Sequence, residues 1–220
     1  MEKRYQVFIS STYKDLHDER QEVMQALLEL DCIPSGMELF PAANATQWEI
    51  IKKVINDCDY YILILAGRYG SVDGDGFSYT EKEYDYAIEI GKPVLAFTHK
   101  DLGKIIADKT ETTENGKDKL TKFREKVEKR LCKQWSTASE LGSVVSRSMI
   151  QLIKANPGIG WVRGDEVSDV EATNEILALR KRIEELEKDL KDRNAEKQKE
   201  IEKLSKGEER VEIKFSFNAR

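Results

Sequence analysis

Histidine is nearly missing from this 220-residue chain: His17 and His99 are the only two. His17 falls in a helical pattern and His99 follows an apolar run, with no nucleophile motif beside either. A His-dependent catalytic triad is therefore unsupported. Cysteine is also sparse, at Cys32, Cys58 and Cys132. An odd number at wide spacing argues against a disulfide framework and fits reduced core thiols. With no Cys pair at ligand spacing, no zinc site is expected.

Long apolar runs are absent too. The longest, Tyr60 to Gly67, falls well short of the ~20 residues that span a bilayer. Met1 to Ser11 holds no apolar core of signal-peptide length, so a soluble, cytoplasmic protein without membrane contact is expected. The formal net charge is -5 and no basic stripe breaks it, which argues against general nucleic-acid binding. No G-x-G-x-x-G follows the first apolar run and no G-x-x-x-x-G-K-[ST] occurs anywhere, so neither a standard dinucleotide fold nor a P-loop is supported. Val72-Asp73-Gly74-Asp75-Gly76 has the D-x-D-G start of a calcium loop but lacks the later ligands and the closing Glu. No metal is expected.

What is present is an alternation. Short apolar runs at Tyr5–Ser10, Tyr60–Ala66 and Pro93–Thr98, with weaker ones at Cys32–Leu39 and Leu131–Trp135, read as strands. Between and after them, amphipathic patterns at Lys14–Leu30, Gln47–Asp57, Thr80–Ile90, Lys117–Arg130 and Thr137–Lys154 read as helices, with a polar loop through Asn115-Gly116. This predicts a three-layer, flavodoxin-like α/β domain with a parallel sheet of about five strands, ending near Asp165.

In such a sheet, ligands sit at the carboxyl ends of the strands. Those ends carry Ser10, Ser11 and Thr12 after the first strand. After the third come Arg68, Tyr69 and Gly70, then Ser78, Tyr79, Glu81 and Glu83. The hydroxyls after the first strand suit either a helix cap or a phosphate held at a helix start. The stretch Ile33 to Asn44, bounded by prolines, is long for a compact domain and often such loops are functional; its Glu38 would line the pocket or cap a turn.

From Glu171 to Arg210 more than half the positions are charged and none is aromatic. Within it Ile176, Leu179, Ile183, Leu186 and Leu190 alternate three and four apart. This heptad seam places Ile176, Ile183 and Leu190 at a, and Leu179 and Leu186 at d, the choice that favours a parallel two-stranded coil. A coiled-coil helix over 166–206 and self-association as a parallel dimer or higher oligomer are expected. A solvated single helix with i,i+4 pairs such as Glu184 with Lys188 is the alternative. The last stretch, 207–220, contains Val211 to Phe217, which alternates as a half-buried strand does.

The stretches VFISSTYKDLHDER, IPSGMELFPA, DYYILILAGRYGS, SYTEKEYDYAIEIGKPVLAF and GWVRGD together resemble the TIR-like domain of unknown function numbered 4062, found in bacterial signalling and antiphage defence proteins. The match runs over residues 7 to 165. That family is similar to TIR domains and to nucleoside deoxyribosyltransferases, in which a Glu early in a helix acts at the sugar of an N-glycosidic bond. Glu83-Tyr84-Asp85-Tyr86-Ala87 fits that pattern, so the resemblance implies Glu83, not Glu81, as the catalytic carboxylate.

It implies no resident cofactor; NAD enters as a possible substrate. Arg68 would meet a phosphate, Ser10, Ser11 and Thr12 would hold ribose or phosphate, and Trp48, Tyr69 and Tyr79 would stack on a base. Against these stand plainer readings: an exposed helical Glu83, an Arg68 paired with Asp73 or Asp75, and aromatics that only pack. Three functions follow as expectations: an NAD-cleaving signalling domain switched on by assembly, a non-enzymatic TIR-like scaffold, and a nucleoside deoxyribosyltransferase.

Overall fold

The computed structural model describes residues 2–36, 47–164 and 170–205. Glu38 and the terminal stretch 207–220 lie outside the described residues. The first unit, Met1–Val162, is built as β1 (Gln6–Ser10), α1 (His17–Leu28), β2 (Ile33–Ser35), α2 (Gln47–Asp57), β3 (Tyr60–Leu65), α3 (Tyr79–Glu89), β4 (Val94–His99), α4 (Glu114–Glu128), β5 (Lys133–Trp135) and α5 (Ala138–Ala155). The five strands form one parallel sheet in the order β2-β1-β3-β4-β5. This is the doubly wound, flavodoxin-like order.

Period-two alternation sorts each strand between two layers. Val7 and Ile9 of β1 join Tyr60, Ile62 and Ile64 of β3 against Val23 and Leu27 of α1 and Leu141, Val145 and Met149 of α5. The intervening Phe8, Tyr61, Leu63 and Leu65 face α2, α3 and α4 through Ile51, Ile55, Tyr84, Ala87, Phe123 and Val127. Phe8 and Tyr61 are register partners, and their rings stack with centroids 5.6 Å apart. Because β3 is covered on both faces, all six of its residues are buried, which is why it reads as an unbroken apolar run.

Three local expectations are corrected. Asn115 and Gly116 lie inside α4, not in a loop, because Thr113 caps the helix and accepts the Gly116 N–H at 3.1 Å. An Asn-Gly pair signals a turn only when nothing upstream nucleates a helix. Helix α1 starts at His17, with Leu16 at the cap position and no side-chain cap bond. Leu131 is exposed and precedes β5.

All three cysteines are unpaired. Burial pushes the Cys32 thiol up to about 11 and the Cys58 thiol up to about 12. The second unit, Arg163–Arg220, contains α6 (Val170–Ser205), about 54 Å long at 1.5 Å per residue. Its side chains at Ile176, Leu179, Ile183, Leu186 and Leu190 are each 46–59% exposed. Among the described residues no helix is long and apolar enough to cross a membrane.

Candidate functional site

From β1 the chain moves outward to β2, and from β3 it moves the opposite way to β4. At that reversal the two connections part, and a crevice opens at the carboxyl ends of β1 and β3. A cavity of about 520 Å³ lies there, lined by Ser11, Thr12, Arg68, Gly70, Tyr79 and Glu83, with Asp15, Gln47 and Glu111 also on its wall.

Helix α3 supplies its acid. Ser78 caps α3 by accepting the Glu81 N–H at 3.1 Å, so Tyr79 begins the first turn and Glu83, four residues on, shares its face. Glu83 is only 3% exposed, and the Ser10 hydroxyl donates to its Oε2 at 2.5 Å. Ser10 ends β1 on the same side as Phe8, the side that packs against α3, and is 1% exposed. The exposed-carboxylate reading of Glu83 is therefore wrong. Burial first, and the Glu83 carboxylate next, push the neighbouring Tyr61 phenol well above its ordinary value.

Glu81 points elsewhere. It accepts from the Tyr69 hydroxyl at 2.6 Å and from Lys126 at 3.1 Å, while Lys126 also reaches Asp85. Two acids two residues apart thus have different surroundings, one on the cavity and one bridging α3 to α4. Tyr69 is spent on this bridge, with its ring packed edge-on against Phe123. Trp48 packs against Tyr86 and beneath the Lys82 ammonium. Neither Tyr69 nor Trp48 lines the cavity; Tyr79 does.

Arg68 does not pair with Asp73 or Asp75. It donates to the Asp108 carbonyl at 2.5 Å, while Asp73 accepts the N–H groups of Asp75 and Phe77 in its own turn and pairs with Lys82. The hydroxyls after β1 are not caps either, since α1 begins too late. Ser11 accepts from Arg20 at 2.8 Å, and the first turn of α1 carries Asp18 and Glu19. Those carboxylates already complement the positive end of the helix and repel a phosphate there.

Two glycines let the loops close around the cavity. Gly70 has φ +97, and a β-carbon on it would sit 2.9 Å from the Thr12 methyl. A β-carbon on Gly67 would stand 2.5 Å from the Lys109 carbonyl. That closeness lets the β4–α4 connection join the wall: the Glu111 N–H donates to Gly67 at 2.7 Å, and the Glu111 carboxylate accepts the Tyr69 N–H at 3.2 Å. Glu111 and Asp15 were not singled out in the sequence, because no periodicity or motif marks an acid that reaches the site only through tertiary contact. Among the described residues no group of three or more His, Cys, Asp or Glu side chains could hold a metal.

A family model described as "Domain of unknown function (DUF4062)" matches residues 6–150. No curated protein matches the chain. A solved structure of the TIR domains of the activated Roq1 resistosome, which directly recognizes the pathogen effector XopQ, is similar over 79% of this chain and 98% of its own, at 12% identity and a TM-score of 0.38.

Proposed function

The chain belongs to the DUF4062 family, and from that premise we propose that its α/β unit is a TIR-like signalling domain which cleaves the N-glycosidic bond of NAD or a related nucleotide at Glu83 when copies assemble. The observation that carries this reading is the placement of Glu83: a carboxylate 3% exposed, held by Ser10, on the wall of a cavity at the reversal point of the sheet. Burying an acid is costly even when it is hydrogen-bonded, and such acids in clefts cluster at functional sites.

The chemistry suits one carboxylate without a catalytic histidine. When the bond between C1′ and the nicotinamide nitrogen breaks, its electron pair leaves on the nitrogen and neutralises the ring, so no strong general acid is needed. Positive charge develops on the ribose, and a carboxylate beside it lowers the barrier electrostatically. Water then adds at C1′ and releases a proton. Ser10 keeps the carboxylate aimed, Tyr79 forms a wall for a ring, and Arg68 and Lys14, both lining the cavity, offer positive charge to a phosphate.

The test is nicotinamide release from NAD by concentrated protein, with Glu83→Gln beside it and the oligomeric state measured in the same buffer. The expected result is release that falls at least ~100-fold in the variant. No release from a confirmed oligomer sinks the glycohydrolase reading. Base exchange on a deoxynucleoside would then indicate a deoxyribosyltransferase, and its absence a scaffold working through the exposed stripe of α6.

A further inference from the structure

Beside the first cavity, at the same carboxyl edge of the sheet, lies a second of about 250 Å³ between the start of α1 and the ends of β4 and β5. Asp15 lines both. It is 2% exposed, and neither carboxylate oxygen makes a hydrogen bond of good geometry among the described residues; the Thr12 hydroxyl and its own N–H approach closely enough only to pull its pKa down. Trp135, also 2% exposed and also lining this chamber, carries an indole N–H with no acceptor among the described residues. Native proteins leave few buried polar groups unpaired, and each such group calls for an explanation. Here an orphaned acceptor and an orphaned donor line one small chamber.

Part of the remaining wall is already committed. His99 uses both ring nitrogens, accepting the Asp101 N–H at 3.2 Å and facing the Ser136 carbonyl at 3.3 Å, while its ring stands edge-on to Trp135 at 4.7 Å. Glu19 faces Lys109 at 3.6 Å, too far for a hydrogen bond, so its Oε2 is a further acceptor without a hydrogen-bond partner among the described residues. The demand on an occupant is thus narrow: a donor for Asp15, an acceptor for the Trp135 N–H, and a flat body to lie among Trp135, His99 and Ile105.

We propose that this chamber is a binding subsite for a planar, uncharged ring that carries an N–H donor beside an acceptor, as a ring carboxamide or an amino-substituted nucleobase does. The ligand class rests on the nucleotide reading above; the unpaired groups do not. At about 250 Å³ the chamber lies below the roughly 300–1,000 Å³ of sites for whole drug-sized ligands, which suits one ring and not an entire nucleotide. Burial raises the Asp15 carboxyl above its ordinary value, with Thr12, its own backbone and Arg68 pulling it back, so the acid gains from a donor that replaces lost water. Asp15 stands on both walls, so the two cavities adjoin at its carboxyl.

Indole N–H resonances test this directly, since the chain has three tryptophans and Trp→Phe variants assign them. Full-length Glu83→Gln protein, which leaves NAD turnover out of the readout, is titrated separately with nicotinamide and with adenine. One or both rings should move the Trp135 signal saturably, leave Trp161 at the amino ends of the strands in place, and bind at least ~10-fold more weakly when Asp15→Ala, which removes the acceptor where Asn would keep one, is added, a tenfold loss being about 1.4 kcal/mol. Which ring binds identifies the source. Trp135 unmoved by either ring, Trp48 moving alone, or affinity unchanged by Asp15→Ala each overturns the subsite. Binding without nicotinamide release by the wild-type chain would sink the catalytic proposal alone, whereas release without Trp135 binding would sink only the subsite.

Discussion

Asp15 shows most clearly what a single residue gives up for its position. Its carboxyl is raised from the model-compound range mainly by burial. An acid whose folded pKa lies above its unfolded one stabilises the fold only while protonated, so stability falls as pH climbs from just below 3.8 through the folded value. At neutral pH the charged form is a burden, and Asp15→Asn should raise stability by about 1 kcal/mol, roughly 2–4 °C in Tm for a domain of this size. The gain should shrink below pH 3.8, where Asp15 is protonated in the folded and unfolded states alike. Thermal melts of both proteins from pH 3 to 8 check this; a destabilised variant at pH 7 would mean that Asp15 is paired in solution. Glu83 is the contrasting case, since a hydroxyl from another strand satisfies it.

At the scale of elements, caps decide where helices begin. Thr113 does for α4 what the sequence around Asn115-Gly116 does not advertise: it accepts a first-turn N–H and converts a turn-like dipeptide into helix. Thr113→Ala should therefore lower stability by about 1 kcal/mol, measured as a shift in the denaturation midpoint with an unchanged slope. An unaltered midpoint would show that α4 is held by its packed face at Leu120, Phe123 and Val127 without help from the cap. In α3 the helical period is what separates the two acids. Positions 79 and 83 fall on the cavity side, and 81 on the side that meets Lys126.

At the scale of the whole molecule, α6 exposes a stripe of five apolar side chains with the spacing of a heptad seam. Arg182 pairs within the helix to Glu185 at 3.2 Å, a surface contact worth little by itself. A seam that pairs with a second copy covers side chains worth about 1.5–3 kcal/mol each when fully buried. Ile183→Asp places a charge at a central a position and should dissociate the oligomer, seen as a drop in mass by sedimentation or light scattering. An unchanged mass in that variant would remove self-association through α6.

The amino-acid sequence alone determined the layer order, because alternating apolar runs and amphipathic stretches are local patterns, and a strand buried on both faces, such as Tyr60 to Leu65, reads as a short unbroken apolar run whose length and flanking Gly-rich loop set it apart from a helix. By resemblance it also pointed to Glu83 and not Glu81, whereas the shared face of Tyr79 and Glu83 emerged only with α3 beginning at Tyr79, one residue before the expected Thr80. Only the tertiary structure decided that this face is buried, that Ser10 from β1 meets it, and that Tyr69 and Trp48 turn away into packing. Those outcomes depend on which strands neighbour one another. Asp15, Glu111 and Trp135 were invisible for the same reason. Their surroundings come from segments tens of residues distant, and a pairing, or its absence, across such a distance leaves no period in the chain.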